Sequence, residues 1–234
     1  MSDASAVQPS RKTNPTVDSL DAVSKRKIIA IDGTIGAGKS TLIKELERRI
    51  CGVGYMEENL IDYTSFSTYN PLVQMYKNPN QNSASTQMHI IRTMNQRMLS
   101  TRMCDITIQD RSLFSPLVFS KALHASGHLT PFSRDYLVEE TTRCARSTLA
   151  ALNAEYAGVF YIHAPLAIIL ERISQRGRPG ESNISIAYLK NLEDCYSQHL
   201  SWIEHNVCPI VKVQTTDLQT ICGQFVDFMN KTLL

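Results

Sequence analysis

The stretch Gly33-Thr34-Ile35-Gly36-Ala37-Gly38-Lys39-Ser40-Thr41 decides the fold of this chain. It fills every fixed position of the pattern G-x-x-x-x-G-K-[S/T], which describes a loop whose backbone N–H groups surround a phosphate. Glycines let the backbone approach an anion closely, and the following helix adds the positive end of its dipole. In this pattern the Lys side chain reaches the terminal phosphates and the Ser hydroxyl is a ligand of Mg²⁺. The whole stretch is therefore predicted to bind a nucleoside triphosphate with Mg²⁺.

The residues on either side of the loop support this interpretation. Before the loop, Lys27–Asp32 is a short, β-branched run of the kind that forms a buried parallel strand. After the loop, the segment 41–50 places Leu42, Leu46 and Ile50 on one helical face. A chance glycine turn would not be expected between such a strand and such a helix, so we prefer the phosphate-binding interpretation.

The rest of the chain repeats the alternation of strand and helix. Short apolar runs predict further strands at 52–56, 106–109, 158–163 and 209–213. Amphipathic segments between them predict helices at about 72–77, 84–103, 113–125, 131–153, 185–206 and 217–231. A further helix is predicted to begin at Pro165 and to carry Leu166, Ile169, Leu170 and Ile173. Five strands alternating with helices predict an α/β fold, with a parallel sheet covered by helices on both faces.

Composition limits the domain organisation and the class of partner. The chain has 234 residues, 43% of them hydrophobic, and a formal net charge of +2. We expect one α/β domain over residues 26–234, preceded by a polar, disordered tail over residues 1–25. The small net charge and the lack of a basic stripe argue against nucleic acid, and no apolar run reaches the length of a membrane span. The six cysteines include no C-x-x-C pair, which favours free thiols in a reducing, cytoplasmic location over a zinc site.

Charged side chains follow two of the predicted strands directly. Glu57 and Glu58 come after the second strand, and Asp110-Arg111-Ser112 comes after the third. The carboxyl ends of parallel strands are where open α/β sheets bind ligands, so these groups are candidates for the active site. An acid such as Asp110 at this edge can hold Mg²⁺ directly or through water. The alternative for the glutamates is a solvated pair at a strand end.

The predicted helix that begins at Pro165 runs into a basic segment. It contains Arg172, Arg176 and Arg178, and it ends in Gly and Pro residues. On its own this segment would be interpreted as a solvated surface turn. Beside a phosphate-binding loop it predicts a mobile element that meets negative charge on a transferring phosphoryl group.

These motifs, in this order, resemble the deoxynucleoside kinase family over roughly residues 26–205. The loop 33–41, the Asp110-Arg111-Ser112 motif and the segment Arg172-x-x-x-Arg176-x-Arg178-x-x-Glu181 all match. The spacing from Glu58 through Tyr76 to Arg111 is also that of the family. The resemblance implies a P-loop kinase fold with an arginine-rich LID, and transfer of phosphate from ATP to the 5′-hydroxyl of a deoxynucleoside. It also implies a homodimer.

The resemblance implies roles around the sugar. Glu58 would be the general base for the 5′-hydroxyl, although the family has Glu-Pro where this chain has Glu57-Glu58-Asn59, so Glu57 stays an alternative. Arg111 would lie beside the 5′-oxygen. Tyr76 and Glu181 would hold the 3′-hydroxyl.

The resemblance also implies roles at the base and the phosphates. Gln87 would form two hydrogen bonds with the base, and Met94 would line the pocket beside it. Ser40 and Asp110 would hold Mg²⁺. The phosphates would be contacted by Lys39 and by the LID arginines Arg172, Arg176 and Arg178.

The identity of the base is a finer prediction. Deoxycytidine and purine kinases of the family use an Arg and an Asp near the base, and Met94 and Pro116 stand at those places here. A pocket without this charged pair resembles the thymidine-accepting branch, so we expect thymidine or deoxyuridine as substrate. The aromatic residue that stacks on the base has no clear match, because Ser120 fills the aligned place and Phe119 is one position away.

Three other classes compete with this prediction. A nucleoside monophosphate kinase, of the thymidylate or cytidylate type, shares the loop and the lid, but it needs arginines rather than a carboxylate base where Glu58 stands. A GTP-dependent switch would need N-K-x-D and D-x-x-G motifs, which we do not find in plausible places. A P-loop NTPase that binds nucleic acid has little support from the charge.

Overall fold

The computed structural model describes residues 24–58 and 70–233, and within them it contains one five-stranded sheet. Every pair of neighbouring strands is parallel and the spatial order is β2-β3-β1-β4-β5. The predicted five-stranded parallel sheet is confirmed, whereas most of the predicted tail lies outside the described residues. The strands are β1 (Arg26–Gly33), β2 (Gly54–Met56), β3 (Ile106–Asp110), β4 (Ala154–Ile162) and β5 (Ile210–Val213).

Helices cover both faces of this sheet. They are α1 (Lys39–Arg49), α2 (Pro71–Lys77), α3 (Pro79–Ser100), α4 (Ser115–Ala125), α5 (Pro131–Ala151), α6 (Leu166–Arg176), α7 (Ile186–Asn206) and α8 (Leu218–Leu233), with a 3₁₀ turn at Glu181–Asn183. The predicted start of α3 near residue 84 was wrong. Pro79 suits a first helical turn, where its missing N–H costs nothing, and α3 therefore begins immediately after Asn78 ends α2.

The fourth strand is also longer than predicted. It begins at Ala154 rather than Gly158, and its first residues pair with Arg26–Ile28 of β1. The register then shifts between Ile28 and Ile29, where β4 carries one extra residue. The extra residue interrupts the alternation of apolar side chains along β4. For this reason the sequence pattern indicated only the second half of the strand.

Two hydrophobic clusters lie on opposite faces of the sheet. Successive residues of β1 point to alternate sides, so Ile28 and Ala30 join one cluster while Ile29 and Ile31 join the other. The first cluster packs the sheet against α3, α4, α5 and α7, and the second packs it against α1 and α8. The central strand is thus buried from Ile28 to Gly33, and its carboxyl end is fixed in position.

All six cysteines are free thiols. Burial raises the pKa of Cys208 to about 12, so this thiol stays protonated and behaves as a core side chain. In the described part of the chain, each helix is too short or too polar to cross a bilayer.

Gly158 is required for the packing of α8 against β4. A Cβ at this position would run into the Phe228 ring, whose Cε1 atom would lie 3.0 Å away, and that ring is itself held against Phe160. We expect Gly158→Ala to lower the free energy of unfolding by about 1–3 kcal/mol through overpacking. Chemical denaturation followed by the fluorescence of Trp202 measures this change.

Gly223 provides the matched control. It lies on the exposed face of α8 and a Cβ there would meet nothing within 4 Å. Gly223→Ala should raise the free energy of unfolding by about 0.5–1 kcal/mol, because alanine is the better helix former. Equal effects of the two substitutions would contradict the packing argument.

Candidate active site

The loop between β1 and α1 has the geometry of a phosphate site. Gly38, the N-cap residue just before α1, has φ 108°, a left-handed conformation that favours glycine. At Gly33 a Cβ would lie 2.6 Å from the carbonyl oxygen of Ile162, so the close packing of β1 on β4 also requires glycine. The loop therefore presents its N–H groups and the N-terminus of α1 at the carboxyl edge of the sheet.

Lys39 lies at the centre of this loop and is only 6% exposed. Its Nζ donates to the backbone oxygens of Gly33, at 3.1 Å, and Thr34, at 2.9 Å. Burial, and then the positive charge of Arg111, lower the pKa of Lys39 to about 8. An anion at the loop would be stabilised by this ammonium group, as the sequence analysis predicts for a terminal phosphate.

Ser40 and Asp110 come together as predicted for a magnesium site. The Ser40 hydroxyl donates to Asp110 Oδ2 at 3.2 Å, while Asp110 Oδ1 is buried without a hydrogen-bond partner among the described residues. Burial raises the pKa of Asp110 to about 6. An unpaired carboxylate oxygen beside a hydroxyl fits a hard divalent cation, for which oxygen ligands are preferred.

Asp32 is a buried carboxylate that the sequence analysis did not select. It accepts hydrogen bonds from the backbone N–H of Gly33 and the hydroxyl of Tyr196, each at 2.8 Å, and from the hydroxyl of Ser115. Its position as the last residue before the loop, in an otherwise apolar strand, was the signal available in the sequence. Its partners Ser115 and Tyr196 lie far away along the chain and gave no such signal.

Arg111 connects these groups. Its backbone has φ 63°, a strained conformation for a residue with a side chain, and its guanidinium is almost fully buried. Nε donates to Glu58 Oε2 at 3.2 Å, while Nη1 donates to the Gly33 carbonyl at 2.9 Å and to the Tyr196 hydroxyl at 2.8 Å. The guanidinium carbon lies 4.8 Å from the centre of the Phe119 ring. The charge of Arg111 is thus fixed beside Glu58.

A cavity of about 390 Å³ opens on the Glu58 side of the loop. Its wall contains all the residues that the sequence analysis assigned to the nucleoside: Glu58, Tyr76, Gln87, Met94, Arg111 and Glu181. Glu57 is not part of this wall. Gln87 Nε2 contacts Met75 Sδ at 3.8 Å, and Gln87 Oε1 is buried with no hydrogen-bond partner within the described ranges. One amide oxygen is therefore available to a ligand with a donor group.

Phe119 lines this cavity, whereas Ser120 does not. The alignment of motifs had left the position of the aromatic residue open, because Ser120 fills the expected place. On α4 the adjacent residue faces the ligand cavity instead, and its ring packs edge-on against Tyr196 with 6.4 Å between centroids. The aromatic side chain of the cavity wall is therefore Phe119, one position before the place that the family resemblance indicates.

A second cavity, of about 460 Å³, lies on the other side of the loop. Its lining comprises Gly36 to Thr41, the three arginines Arg172, Arg176 and Arg178, and Thr216, Leu218 and Ile221. Gly36, Lys39, Arg176 and Arg178 border both cavities. The two cavities therefore meet at the end of the loop, where Lys39 lies.

The three arginines have different partners. Arg172 Nη1 donates to the loop carbonyls of Ala37, at 2.9 Å, and Gly36, at 3.3 Å. Arg176 forms a bidentate ion pair with Glu181, at 2.9 and 2.7 Å, while Arg178 Nη1 is 3.9 Å from the same carboxylate. Arg172 therefore supports the loop, and Arg176 holds Glu181 at the edge of the cavity beside Glu58.

The chain belongs to the deoxynucleoside kinase family, because the model of that family matches residues 29–232. It is 26% identical over 207 residues to the rat mitochondrial NADH dehydrogenase [ubiquinone] 1 alpha subcomplex subunit 10, covering 79% of this chain and 56% of the subunit. It is 29% identical to a deoxyadenosine kinase from Dictyostelium discoideum, covering 81% and 72% of the two chains. The chain thus spans little more than half the length of the NADH dehydrogenase subunits that it matches.

A solved structure agrees with the fold. A deoxyadenosine kinase from M. mycoides, determined with dCMP and dCDP bound, superimposes with a TM-score of 0.72. The match covers 87% of this chain and 98% of the other, at 20% sequence identity. The similarity confirms the predicted P-loop kinase fold.

The two buried aspartates of the site should differ in their importance for stability. Asp32 accepts three hydrogen bonds and lies next to Arg111, so Asp32→Asn removes the more deeply buried of the two carboxylates that pair with the guanidinium. We expect a loss of about 3–5 kcal/mol in the free energy of unfolding. Asp110→Asn, the matched substitution, removes a carboxylate with one unpaired oxygen and should change it by less than about 1 kcal/mol. Urea denaturation in buffer without divalent cations measures both, and similar losses would contradict this assignment.

Proposed function

We propose that this protein transfers a phosphoryl group from ATP to the 5′-hydroxyl of a deoxynucleoside. The main support for the proposal is that the cavity lined by Gln87 and the cavity along the phosphate-binding loop meet at Lys39. The Glu58–Arg111 pair lies in the wall of the first of these cavities. A donor phosphate on one side and a hydroxyl on the other would then be brought together. Phosphoryl transfer depends mainly on such positioning and on charge stabilisation.

Within this proposal, Glu58 accepts the proton of the 5′-hydroxyl. Its carboxylate is partly exposed to the cavity and is held by Arg111 at 3.2 Å, so it can turn toward a bound alcohol without moving far. Arg111 also offers positive charge to the oxygen that attacks. Lys39 stabilises the charge that develops on the transferred group, because its ammonium lies at the end of the loop.

The same proposal assigns a metal to the loop. Ser40 and Asp110 are the residues that would hold Mg²⁺, and the unpaired Asp110 oxygen supports this choice. A magnesium ion bound there would neutralise charge on the donor phosphates. Arg178 is the LID arginine best placed to turn toward the phosphates, since Arg172 and Arg176 already have short contacts.

The phosphate donor also has a place for its base. Beyond the loop, the second cavity is lined by Leu218 and Ile221 of α8 and by Thr216. Apolar side chains beside a phosphate site suit the flat ring of adenine, with a hydroxyl nearby as a hydrogen-bond partner. ATP is therefore the donor that we propose.

Thymidine and deoxyuridine are the nucleosides that we propose. Met94 and Pro116 line the cavity and provide no charge, whereas Gln87 presents an unpaired amide oxygen that can accept the N3–H of thymine. Tyr76 and Glu181 lie in the same wall and are proposed to hold the 3′-hydroxyl. Relatives named deoxyadenosine kinase make the purines the main alternative.

A second candidate is a nucleotide-binding subunit of a larger assembly. The observation that favours it is the similarity to proteins named as subunits of NADH dehydrogenase. A nucleoside monophosphate kinase is less well supported, because the buried cavity offers the Glu58 carboxylate where a nucleotide acceptor would need positive charge. Both candidates differ from the nucleoside kinase in their response to the substrates tested below.

A homodimer in the cytoplasm completes the proposal. The exposed side chains of Phe132 and Tyr136 on α5 and of Leu99 on α3 support association of two chains, since large apolar side chains are rarely left in water without a partner surface. Light scattering on the full chain distinguishes one chain from two. The cytoplasmic location stays a prediction, supported by the free thiols and tested by imaging of the tagged full chain.

Turnover with a panel of acceptors tests the central proposal. With ATP and Mg²⁺, we expect ADP formation with thymidine and deoxyuridine above that with deoxycytidine, deoxyadenosine, deoxyguanosine or dTMP. Glu58→Gln should lower kcat by about 10²–10⁴-fold, because the base is lost while the shape is kept. Glu57→Gln is the matched control and should leave kcat within about twofold, since its side chain is not part of the cavity wall.

Two results would contradict the proposal. Turnover only with dTMP, unaffected by Glu58→Gln, would indicate a monophosphate kinase. Nucleotide binding without turnover of any acceptor would indicate the binding subunit.

Charge introduced at the base end of the cavity should change the specificity. We expect the double variant Met94→Arg with Pro116→Asp to lower kcat/KM for thymidine by at least about tenfold and to raise kcat/KM for deoxycytidine or deoxyadenosine. The reason is that the variant places beside the base the charged pair that deoxycytidine and purine kinases of the family use. Asp at position 116 also suits the first turn of α4. Met94→Leu keeps the volume without charge and should keep the thymidine preference. An unchanged order of substrates in the double variant would mean that these positions do not contact the base.

A further inference from the structure

The hydroxyl of Tyr196 lies between two buried charged groups. It accepts from Arg111 Nη1 at 2.8 Å and donates to Asp32 Oδ1 at 2.8 Å. The two charged atoms themselves are 3.5 Å apart, beyond the 2.7–2.9 Å typical of a direct charge-assisted hydrogen bond. The phenol thus bridges a pair of opposite charges that make only a long direct contact.

The position of this hydroxyl is determined by the packing of its ring. Tyr196 is fully buried on α7, with the Tyr161 ring at 5.2 Å and the Phe119 ring at 6.4 Å between centroids. Burial also raises the pKa of the Tyr196 phenol well above its usual value, so the group stays a neutral hydroxyl. It can therefore act as a fixed bridge, with its proton directed at the carboxylate.

The bridge determines which carboxylate Arg111 can approach. Asp32 is held by Gly33 and Ser115 and is deep in the protein, whereas Glu58 is more exposed and lies at the cavity. Without a hydroxyl between them, the guanidinium and the Asp32 carboxylate could move into direct contact, because the attraction between two buried opposite charges becomes stronger as the distance between them decreases. Such a shift would draw Arg111 away from Glu58.

We propose that Tyr196 is a positioning residue, whose hydroxyl keeps Arg111 separated from Asp32 and directed toward Glu58 and the cavity. The effect of Tyr196 on the position of Arg111 depends only on residues of this chain and on no ligand. Its kinetic consequence rests on the proposed function, in which Arg111 and Glu58 meet the 5′-oxygen. The strained backbone of Arg111 agrees with this role, because such a conformation persists only where the surroundings fix it.

Tyr196→Phe tests the proposal, with Tyr161→Phe as the matched control. Both substitutions remove one phenol hydroxyl from the same buried ring cluster, but within the described residues Asp32 and Arg111 bond to the Tyr196 hydroxyl and not to that of Tyr161. The first measurement is the solvent exchange of the Arg111 Nε–H by NMR, with the signal assigned through Arg111→Lys. We expect exchange at least about tenfold faster in Tyr196→Phe and unchanged in Tyr161→Phe, since the Nε–H···Glu58 contact is weakened only in the former.

The second measurement is steady-state kinetics on the preferred nucleoside. Tyr196→Phe should lower kcat by about 10–100-fold with KM for ATP within about twofold, as expected when a reacting group is displaced but the donor site is intact. A general loss of structure would instead lower the melting temperature and change both parameters. If Tyr196→Phe does not fold, 3-fluorotyrosine at position 196 nearly keeps the shape of the side chain. Its more acidic hydroxyl is a weaker acceptor from Arg111 and a stronger donor to Asp32, so a smaller increase in exchange is expected.

The two measurements distinguish the positioning role of Tyr196 from the proposed function. Wild-type protein without turnover would overturn the proposed function, while the NMR comparison would still decide the role of Tyr196. Equal Arg111 exchange in the Tyr196 and Tyr161 variants would overturn the positioning role, whatever the activity. Faster exchange with unchanged kcat would show that Arg111 is held by Tyr196 but that this restraint does not serve the reaction, which also contradicts the proposal.

Discussion

The buried pairing of Asp32 with Arg111, bridged by Tyr196, is the constraint on which the site depends. It joins the carboxyl ends of β1 and β3 to α7, three segments that are distant in sequence. Burying a guanidinium is unfavourable unless it is paired and hydrogen-bonded, and here the Gly33 carbonyl accepts from Nη1 while Glu58 accepts from Nε. The site is therefore assembled only when the whole sheet and the α7 layer are in place, which couples the chemistry to the fold.

The sheet makes this arrangement possible because its central strand is buried on both faces. β1 lies between β3 and β4, and its alternating side chains enter the two hydrophobic clusters. The core thus offsets the cost of a strained Arg111 backbone and of Asp110, whose Oδ1 lacks a partner within the described residues. Unsatisfied and strained groups collect at one edge, where a ligand can satisfy them. This is the usual relation between a stable scaffold and a reactive site.

The sequence predicted the parts of the site that depend on local pattern. Short-range rules predict the phosphate-binding loop, the alternation of strands and helices along the chain, and the acids after β2 and β3. The residues that the family resemblance assigned to the nucleoside all line the same cavity. Asp32 and Tyr196 were missed because their significance arises only from contacts across the fold. The start of α3 was wrong because the stretch from Pro79 to residue 84 is polar, so hydrophobic periodicity gave no sign of helix there. The first half of β4 was missed because of its register shift.

Under the proposed function, the pairing of Arg176 with Glu181 gives the LID a way to respond to both substrates. Two charged groups that the family resemblance assigns to different ligands are bound to each other in this structure, at 2.9 and 2.7 Å. Arg176 borders both cavities, while Glu181 borders only the cavity beside Glu58. A nucleoside whose 3′-hydroxyl donates a hydrogen bond to Glu181 would therefore compete with Arg176 for the same carboxylate oxygens. Released in part from that carboxylate, Arg176 would have more of its charge available to the phosphates. Occupation of the nucleoside cavity would then favour the LID arrangement that transfer needs, before any phosphate is lost to water.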